Sequence, residues 1–280
     1  INKTNQVTLF KPANPIRSIY NAAIQYYLPE QTDSVTVEIL DAQGELIQSY
    51  TGKSPEGRGG SPTTAKGLNS FNWNLRYPGA TTFEGMIIWS ARPQRGPLAP
   101  IGDYQVRLSV NGQTLNTDFS VEMNPNLEGI TPEDLQEQFD LSQQIMAKTT
   151  EANEAVIKIR KIRSQIEKLG PFNNDQLANG VNGMMEKLSA IELDLYQVQN
   201  QSPQDPLNFP IKLNNRLASL RRSVENGQAK PTDAAYVVFD ELKKELTDHL
   251  QKLKGVMNND LKAVNQMLKN EDLGQIVSEE

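Results

Sequence analysis

The sequence predicts a multidomain chain: an all-β sandwich followed by an all-α, elongated antiparallel four-helix bundle. Three observations carry this. Up to about Asn124, apolar residues recur at every second position between frequent turn residues. Beyond Asn124-Pro125 the period lengthens to about 3.6. Helix start and stop residues then bound four amphipathic stretches. The change of period places the boundary near residue 128, with expected domains 1–128 and 129–280.

A chain of 280 residues suits one large domain or two ordinary ones. Zero cysteines exclude disulfide frameworks, zinc ribbons and thiol catalysis. No apolar run approaches the roughly 20 residues of a membrane span. The net charge of −6 divides unevenly. Residues 1–128 carry 10 basic and 11 acidic side chains (net −1), and residues 129–280 carry 18 and 23 (net −5). Neither half has the basic footprint of a nucleic-acid binder. Ile1 is not a start residue, and an early strand without a leader favours an excised piece over a processed product.

In the first half, Val7 to Phe10 reads as a short strand and Ala22 to Leu28 as a second, stopped by Pro29. Val35, Val37 and Ile39 alternate with Thr36 and Glu38, and the turn Asp41 to Gly44 leads into Leu46–Tyr50, a hairpin. Gly52 to Gly67 is Gly/Ser/Pro-rich and reads as a mobile surface loop. Phe71, Trp73 and Leu75 mark the central strand; the excursion after Pro78 returns only near Gly102. Asp103–Val110, Asn111-Gly112 and Leu115–Met123 form the last hairpin. Tyr104, just after Gly102, stands where its hydroxyl could bond back to the chain as a tyrosine corner, or merely pack.

In the second half, Thr131-Pro132-Glu133-Asp134 is a helix start. The stripe that follows runs through Leu135, Phe139, Met146, Thr149, Ala152, Val156, Ile159, Ile162, Ile166 and Leu169, and Gly170-Pro171 stops it. Leu177 to Val198 forms a second seam and Leu213 to Val224 a third. Pro231-Thr232-Asp233 opens the fourth, which runs from Tyr236 to Leu268. The first and last helices, about 37 residues each, would be roughly 55 Å long at 1.5 Å per residue. Gln275–Glu280 reads as a frayed end.

Several segments also carry a resemblance. Asn14-Pro15-Ile16, Ile24 to Pro29, Val35 to Asp41, Gly44, Phe71-Asn72-Trp73 and Gly102-Asp103-Tyr104 resemble the Ig-like domain of flagellar hook-capping proteins. With Asn74 to Pro78 and Leu207 to Asn215 added, nearly the whole chain is similar to the C-terminal region of bacterial secreted sortilin-like β-propeller proteins. These are often labelled BNR-repeat glycoside hydrolases. No Asp-box repeat (Ser-x-Asp-x-Gly-x-Thr-Trp) occurs in the sequence. The resemblance therefore implies an Ig-like β-sandwich in a non-catalytic accessory module, with an upstream β-propeller as partner. It also implies an extracellular or periplasmic location, and it assigns any glycosidase activity to the propeller.

Candidate chemistry is sparse. His249 is the only histidine and sits at the edge of the fourth helix's apolar stripe, without a second His or Cys to complete a metal set. Glu245 and Asp248 beside it do not recur on a second helix as a di-iron site requires. Glu84 could pair with Asp103 only across the fold, where a glycosidase needs two opposed carboxylates. Gly57-Arg58-Gly59-Gly60 lacks the Gly-Lys-Ser/Thr ending of a phosphate loop. No catalytic residue, metal ligand or cofactor motif is assigned. The segment Tyr77–Pro100 alone has binding-site composition, with Tyr77, Phe83, Trp89, Arg92 and Arg95 as candidate interface residues. It suits a docking surface for a protein neighbour or, alternatively, a carbohydrate-binding platform; plain packing of Trp89 on the sheet edge fits equally.

Overall fold

The computed structural model describes residues 6–278 and shows a mixed chain of antiparallel sheets and helices. Two compact units divide it. The first comprises Ile1–Pro78, Arg95–Asp140 and Gly227–Lys230; the second comprises Gly79–Gln94, Leu141–Asn226 and Pro231–Glu280. This division corrects the expected single cut near residue 128. Residues 79–94 belong with the helices, and the first turns of helix α1 (Pro132–Leu169) belong with the strands.

Among the described residues, the first unit holds nine strands. β1 (Thr8–Leu9), β2 (Ala22–Leu28) and β5 (Gly67–Trp73) form one sheet in the order β1-β2-β5. β3 (Val35–Asp41), β4 (Leu46–Gly52), β8 (Gly102–Val110) and β9 (Gln113–Val121) form a second, in the order β4-β3-β8-β9. The remaining pair, β6 (Arg76–Pro78) and β7 (Arg95–Leu98), lies inside the stretch read from sequence as one long excursion. It escaped notice because Arg76-Tyr77-Pro78 and Arg95-Gly96-Pro97 offer no apolar alternation.

Period-two alternation decides which side chains go inward. Ala22, Ile24, Tyr26 and Leu28 from β2, Phe71 and Trp73 from β5, Val35, Val37 and Ile39 from β3, and Val106 and Leu108 from β8 are buried in one core shared by both sheets. Trp73 is fully buried. Its indole lies 5.5 Å from the Tyr104 ring and 6.2 Å, edge-on, from Phe119, and its Nε1 donates to the Arg76 carbonyl at 3.0 Å. The Tyr104 hydroxyl donates back to the Pro100 carbonyl at 2.8 Å, the bond that a tyrosine corner makes.

Arg17, invisible to the sequence reading, is also buried here at 1% exposure. Its Nε donates to the Ala99 carbonyl (2.8 Å), Nη1 to Gln228 Oε1 (3.2 Å) and Nη2 to Gln138 Oε1 (3.1 Å). Gln138 in turn donates to the Gly227 carbonyl at 3.1 Å. A buried guanidinium is tolerated only with its donors engaged, and these bonds explain why residues 132–140 and 227–230 join the strands. The Gly52–Gly67 stretch is better organised than a mobile loop. Ser54 bridges Thr63, and the Tyr26 hydroxyl donates to the Thr63 carbonyl at 2.6 Å.

The second unit contains the rest of α1, α2 (Asp175–Leu195), α3 (Leu213–Val224), α4 (Asp233–Val256) and α5 (Lys262–Asn270), the last two joined by a π-turn at Met257–Leu261. The caps are those the sequence indicates. Asp134 N–H donates to Thr131 Oγ1 and Thr131 N–H to Asp134 Oδ2, a reciprocal box. Thr232 accepts from the Ala235 N–H. As α2 advances, its partners recede along α4 and α5: Gly180 lies against Met267, Lys187 Nζ is 2.6 Å from Asp260 Oδ1, and Asp194 Oδ2 is 3.8 Å from His249 Nδ1. These two rods are therefore antiparallel. On α1 the inward face runs through Leu141 and Ile145, while Met146 is only half-buried, one position off the expected stripe. The frayed end expected at Gln275–Glu280 is corrected over Gln275–Ser278, where Ile276 is buried at 2% exposure; Glu279 and Glu280 lie outside the described residues. Among the described residues, no helix is long and apolar enough to cross a membrane.

Trp73→Ala is expected to cost about 3–5 kcal/mol, measured by urea denaturation, because it empties the centre of the first core. A loss under about 1 kcal/mol would contradict that placement. A second expectation concerns alkaline pH. Burial pushes the Tyr50 and Tyr77 hydroxyls up to about 12, and burial also raises Tyr104. Below pH 10 these tyrosines are neutral in both folded and unfolded chains, so their contribution is intact. Above pH 10 the unfolded chain ionises first, and stability should fall as pH rises from 10 towards 12. Tyr77→Phe should flatten that slope in urea titrations at successive pH values.

Candidate functional site

The five candidate interface residues do not form one group. Tyr77 and Arg95 belong to the first unit; Phe83, Trp89 and Arg92 belong to the second. Tyr77 packs on Phe139 with ring centroids 4.7 Å apart, so its ring is occupied within its own unit. Arg95, on β7, is exposed. It borders a small polar cleft of about 120 Å³ with Tyr20, Asn74 and Arg76.

In the second unit, residues 79–94 are irregular, so their backbone donors and acceptors have no helix or sheet to satisfy them. Side chains of the helices supply the partners. Thr81 N–H donates to Thr150 Oγ1 (3.1 Å), and Asn153 Nδ2 donates to the Thr81 carbonyl (2.7 Å). Asn214 Nδ2 donates to Asn153 Oδ1 (2.9 Å), which fixes that amide's orientation. The Ile87 N–H donates to the Tyr196 hydroxyl at 3.0 Å. Asn215 grips Trp89 from both ends: the Trp89 N–H donates to Oδ1 (2.7 Å), and Nδ2 donates to the Trp89 carbonyl (3.0 Å). Arg222 bonds Ser90, and Arg221 Nη2 donates to the Arg92 carbonyl at 3.0 Å. Ala80 N–H donates to the Pro93 carbonyl (2.8 Å), so the ends of the segment meet. Gly79 is required there, since a Cβ would stand 2.2 Å from the Gln94 carbonyl oxygen.

Phe83 and Met86 turn their side chains inward, against the core of the second unit. At Phe83 the contact is aromatic. Its ring meets Tyr196 edge-on at 5.0 Å, and the Arg160 guanidinium lies over both rings, 4.7 Å from Phe83 and 5.1 Å from Tyr196. Arg160 and Arg163 are each 2.7 Å from Glu192, a carboxylate at 3% exposure that binds both through separate oxygens. At Trp89 and Arg92 the helices hold the backbone instead. Trp89 remains 37% exposed and Arg92 is exposed.

The other candidate groups have the following surroundings. His249 is buried at 8% exposure with Asp194 as its carboxylate neighbour. Asp103 accepts the Ser120 hydroxyl at 2.6 Å in the first unit, whereas Glu84 lies in the second. Among the described residues, no group of three His, Asp or Glu is placed to hold a metal ion. The residues that sequence reasoning missed are Asn153, Asn214, Asn215 and Arg221. The signal for them was polar residues in phase with an apolar stripe: Asn214 and Arg221 flank Leu217 at helical spacing, and Asn153 lies between Thr149 and Val156.

No family model matches the chain, and no curated protein does. Among solved structures, chitinase ChiW from Paenibacillus sp. str. FPU-7, a cell-surface-expressed multi-modular enzyme, is similar over 41% of this chain at 12% identity and TM-score 0.26. The chain spans only 8% of that enzyme. CopC from Methylosinus trichosporium OB3b is similar over 44% of this chain and 99% of its own, at 13% identity and TM-score 0.25. The β-glucuronidase of Ruminococcus gnavus is similar over 50% and 24%, at 14% identity and TM-score 0.19. Likeness at this level carries no functional argument.

The bonds that hold residues 79–94 are made to their backbone, and two variants separate that hold from side-chain packing. Asn215→Ala strips both partners from the Trp89 peptide groups and should cost about 1–3 kcal/mol. Trp89→Ala combined with Arg92→Ala leaves those bonds in place and should cost less than about 1 kcal/mol. Urea midpoints of the two variants check the order. The reverse order would mean that the side chains, and not the backbone, hold the segment.

Proposed function

We propose that the chain is a non-catalytic accessory module at the C-terminal end of a secreted bacterial β-propeller protein of the sortilin-like kind, docking on the propeller or extending from it. In this reading the module is an Ig-like β-sandwich joined to an antiparallel four-helix bundle, and its location is extracellular or periplasmic. One observation carries the proposal: the residues that bear the resemblance serve architecture. Phe71, Trp73 and Tyr104 lie in the first core, with the Tyr104 bond to Pro100 in the form a tyrosine corner takes. At the end of the Leu207–Asn215 motif, Asn215 holds the Trp89 peptide groups and Asn214 orients the Asn153 amide that holds Thr81. That segment presents Trp89 and Arg92 outward on a fixed backbone, which suits a surface where a neighbouring domain rests. The exposed Trp89 indole favours a second reading, a carbohydrate platform.

The full-length polypeptide provides the test. Trp89→Ala with Arg92→Ala should weaken the contact with the propeller by about 2 kcal/mol or more if these are anchor residues, and the isolated chain should bind nothing on a glycan array. Glycan binding abolished by the double change would replace docking with carbohydrate recognition. An unaltered full-length protein without glycan binding would remove both roles from this segment.

A further inference from the structure

The C-terminal segment is held in the second unit by a pattern that ordinary packing does not require. The Ile276 N–H donates to Asn265 Oδ1 (2.8 Å), and Asn265 Nδ2 donates to the Ile276 carbonyl (2.9 Å). The Val277 N–H donates to Gln165 Oε1 (2.9 Å), and Gln165 Nε2 donates to the Val277 carbonyl (2.8 Å). One amide belongs to α5, the other to α1. An extended backbone turns the N–H and C=O of one residue to one side and those of the next residue to the other. The two helices therefore read two consecutive residues of a strand-like segment from opposite edges. Main-chain bonds of this kind do not depend on which side chains the segment carries.

Selectivity comes from one position. Ile276 is buried at 2% exposure while Val277 is 52% exposed. The segment's connection is slight: residues 271–275 are all exposed, and Asp272 takes a positive φ of 54° where the chain leaves the helix. Beside the segment lies a cavity of about 660 Å³. Leu253, Met257 and Leu261 line it, and Lys158, Lys254 and Lys262 stand among its walls. The site therefore pairs main-chain readers with an aliphatic pocket and a cationic border.

We propose that the space between α1 and α5 is a peptide-binding groove whose ligand, held in cis, is the chain's own Gln275–Val277. The groove accepts in its place an extended segment from another polypeptide, with an aliphatic residue at the Ile276 position and acidic residues nearby. The acidic preference follows from the three lysines, and the chain's own sequence continues as Ser278-Glu279-Glu280.

The experiment uses the full chain carrying Ile276→Asp, which should release the segment, and a fluorescein-labelled peptide with the sequence of residues 273–280. Anisotropy should show saturable binding to this variant. The wild-type chain, its groove already filled, should bind at least tenfold more weakly. Adding Gln165→Ala and Asn265→Ala to the variant should weaken binding at least tenfold, as should Ile276→Asp in the peptide. Absence of saturable binding, or binding indifferent to the two amides, would overturn the proposal. Hydrogen exchange on the wild-type chain tests it without relying on the variant's folding. The Ile276 and Val277 amides should exchange at least a hundredfold faster than those of central α1. Exchange in step with α1 would make the segment a fixed part of the core and would equally overturn the proposal.

Discussion

Every irregular segment must find partners for its own peptide groups, and in this protein that obligation governs the second unit. Helices satisfy themselves internally, but residues 79–94 and 275–278 cannot. Asn153, Asn215, Asn265, Gln165 and Arg221 meet the requirement, each from a helix and each towards backbone. A side-chain amide carries a donor and an acceptor in one plane, so it imitates the neighbouring strand that the segment lacks. Without those amides, buried polar groups would oppose the packing that brings the segments in.

The first unit meets the same requirement differently. Its ladders supply the backbone bonds of the strands, and Arg17 ties in pieces outside them: its guanidinium reaches a loop carbonyl and two glutamine amides. Through these three bonds one cation orders three distant pieces of chain at once. Removing any acceptor would leave part of that charge buried without its bond, so such a centre specifies arrangement more than it adds net stability.

Sequence made the regular elements legible and the irregular ones not. The strands from Ala22, Val35 and Asp103 and the caps at Thr131 and Thr232 are written locally, in alternation and in capping residues. The attachment of residues 79–94 is written in amides up to 126 positions away, which no local period reveals. Their composition suggested a binding loop because aromatic and arginine side chains serve interfaces and internal packing alike: Phe83 and Tyr77 pack inward, and only Trp89, Arg92 and Arg95 fit the outward reading. The π-turn at Met257–Leu261 left no such mark: the two steps of four at Leu253, Met257 and Leu261 also occur at Leu242, Leu246 and Leu250, where α4 is regular.

The 126-residue interval between Trp89 and Asn215 also sets a schedule during synthesis. At the roughly 5–20 residues per second of translation, about 6–25 s pass between the emergence of Trp89 and that of the amide that receives it. During that wait Phe83 gains Arg160 and then Tyr196, but the Trp89 peptide groups stay without the amide that finally holds them. Residues 79–94 are therefore among the last parts of the second unit to settle, although they are the first of it to be made.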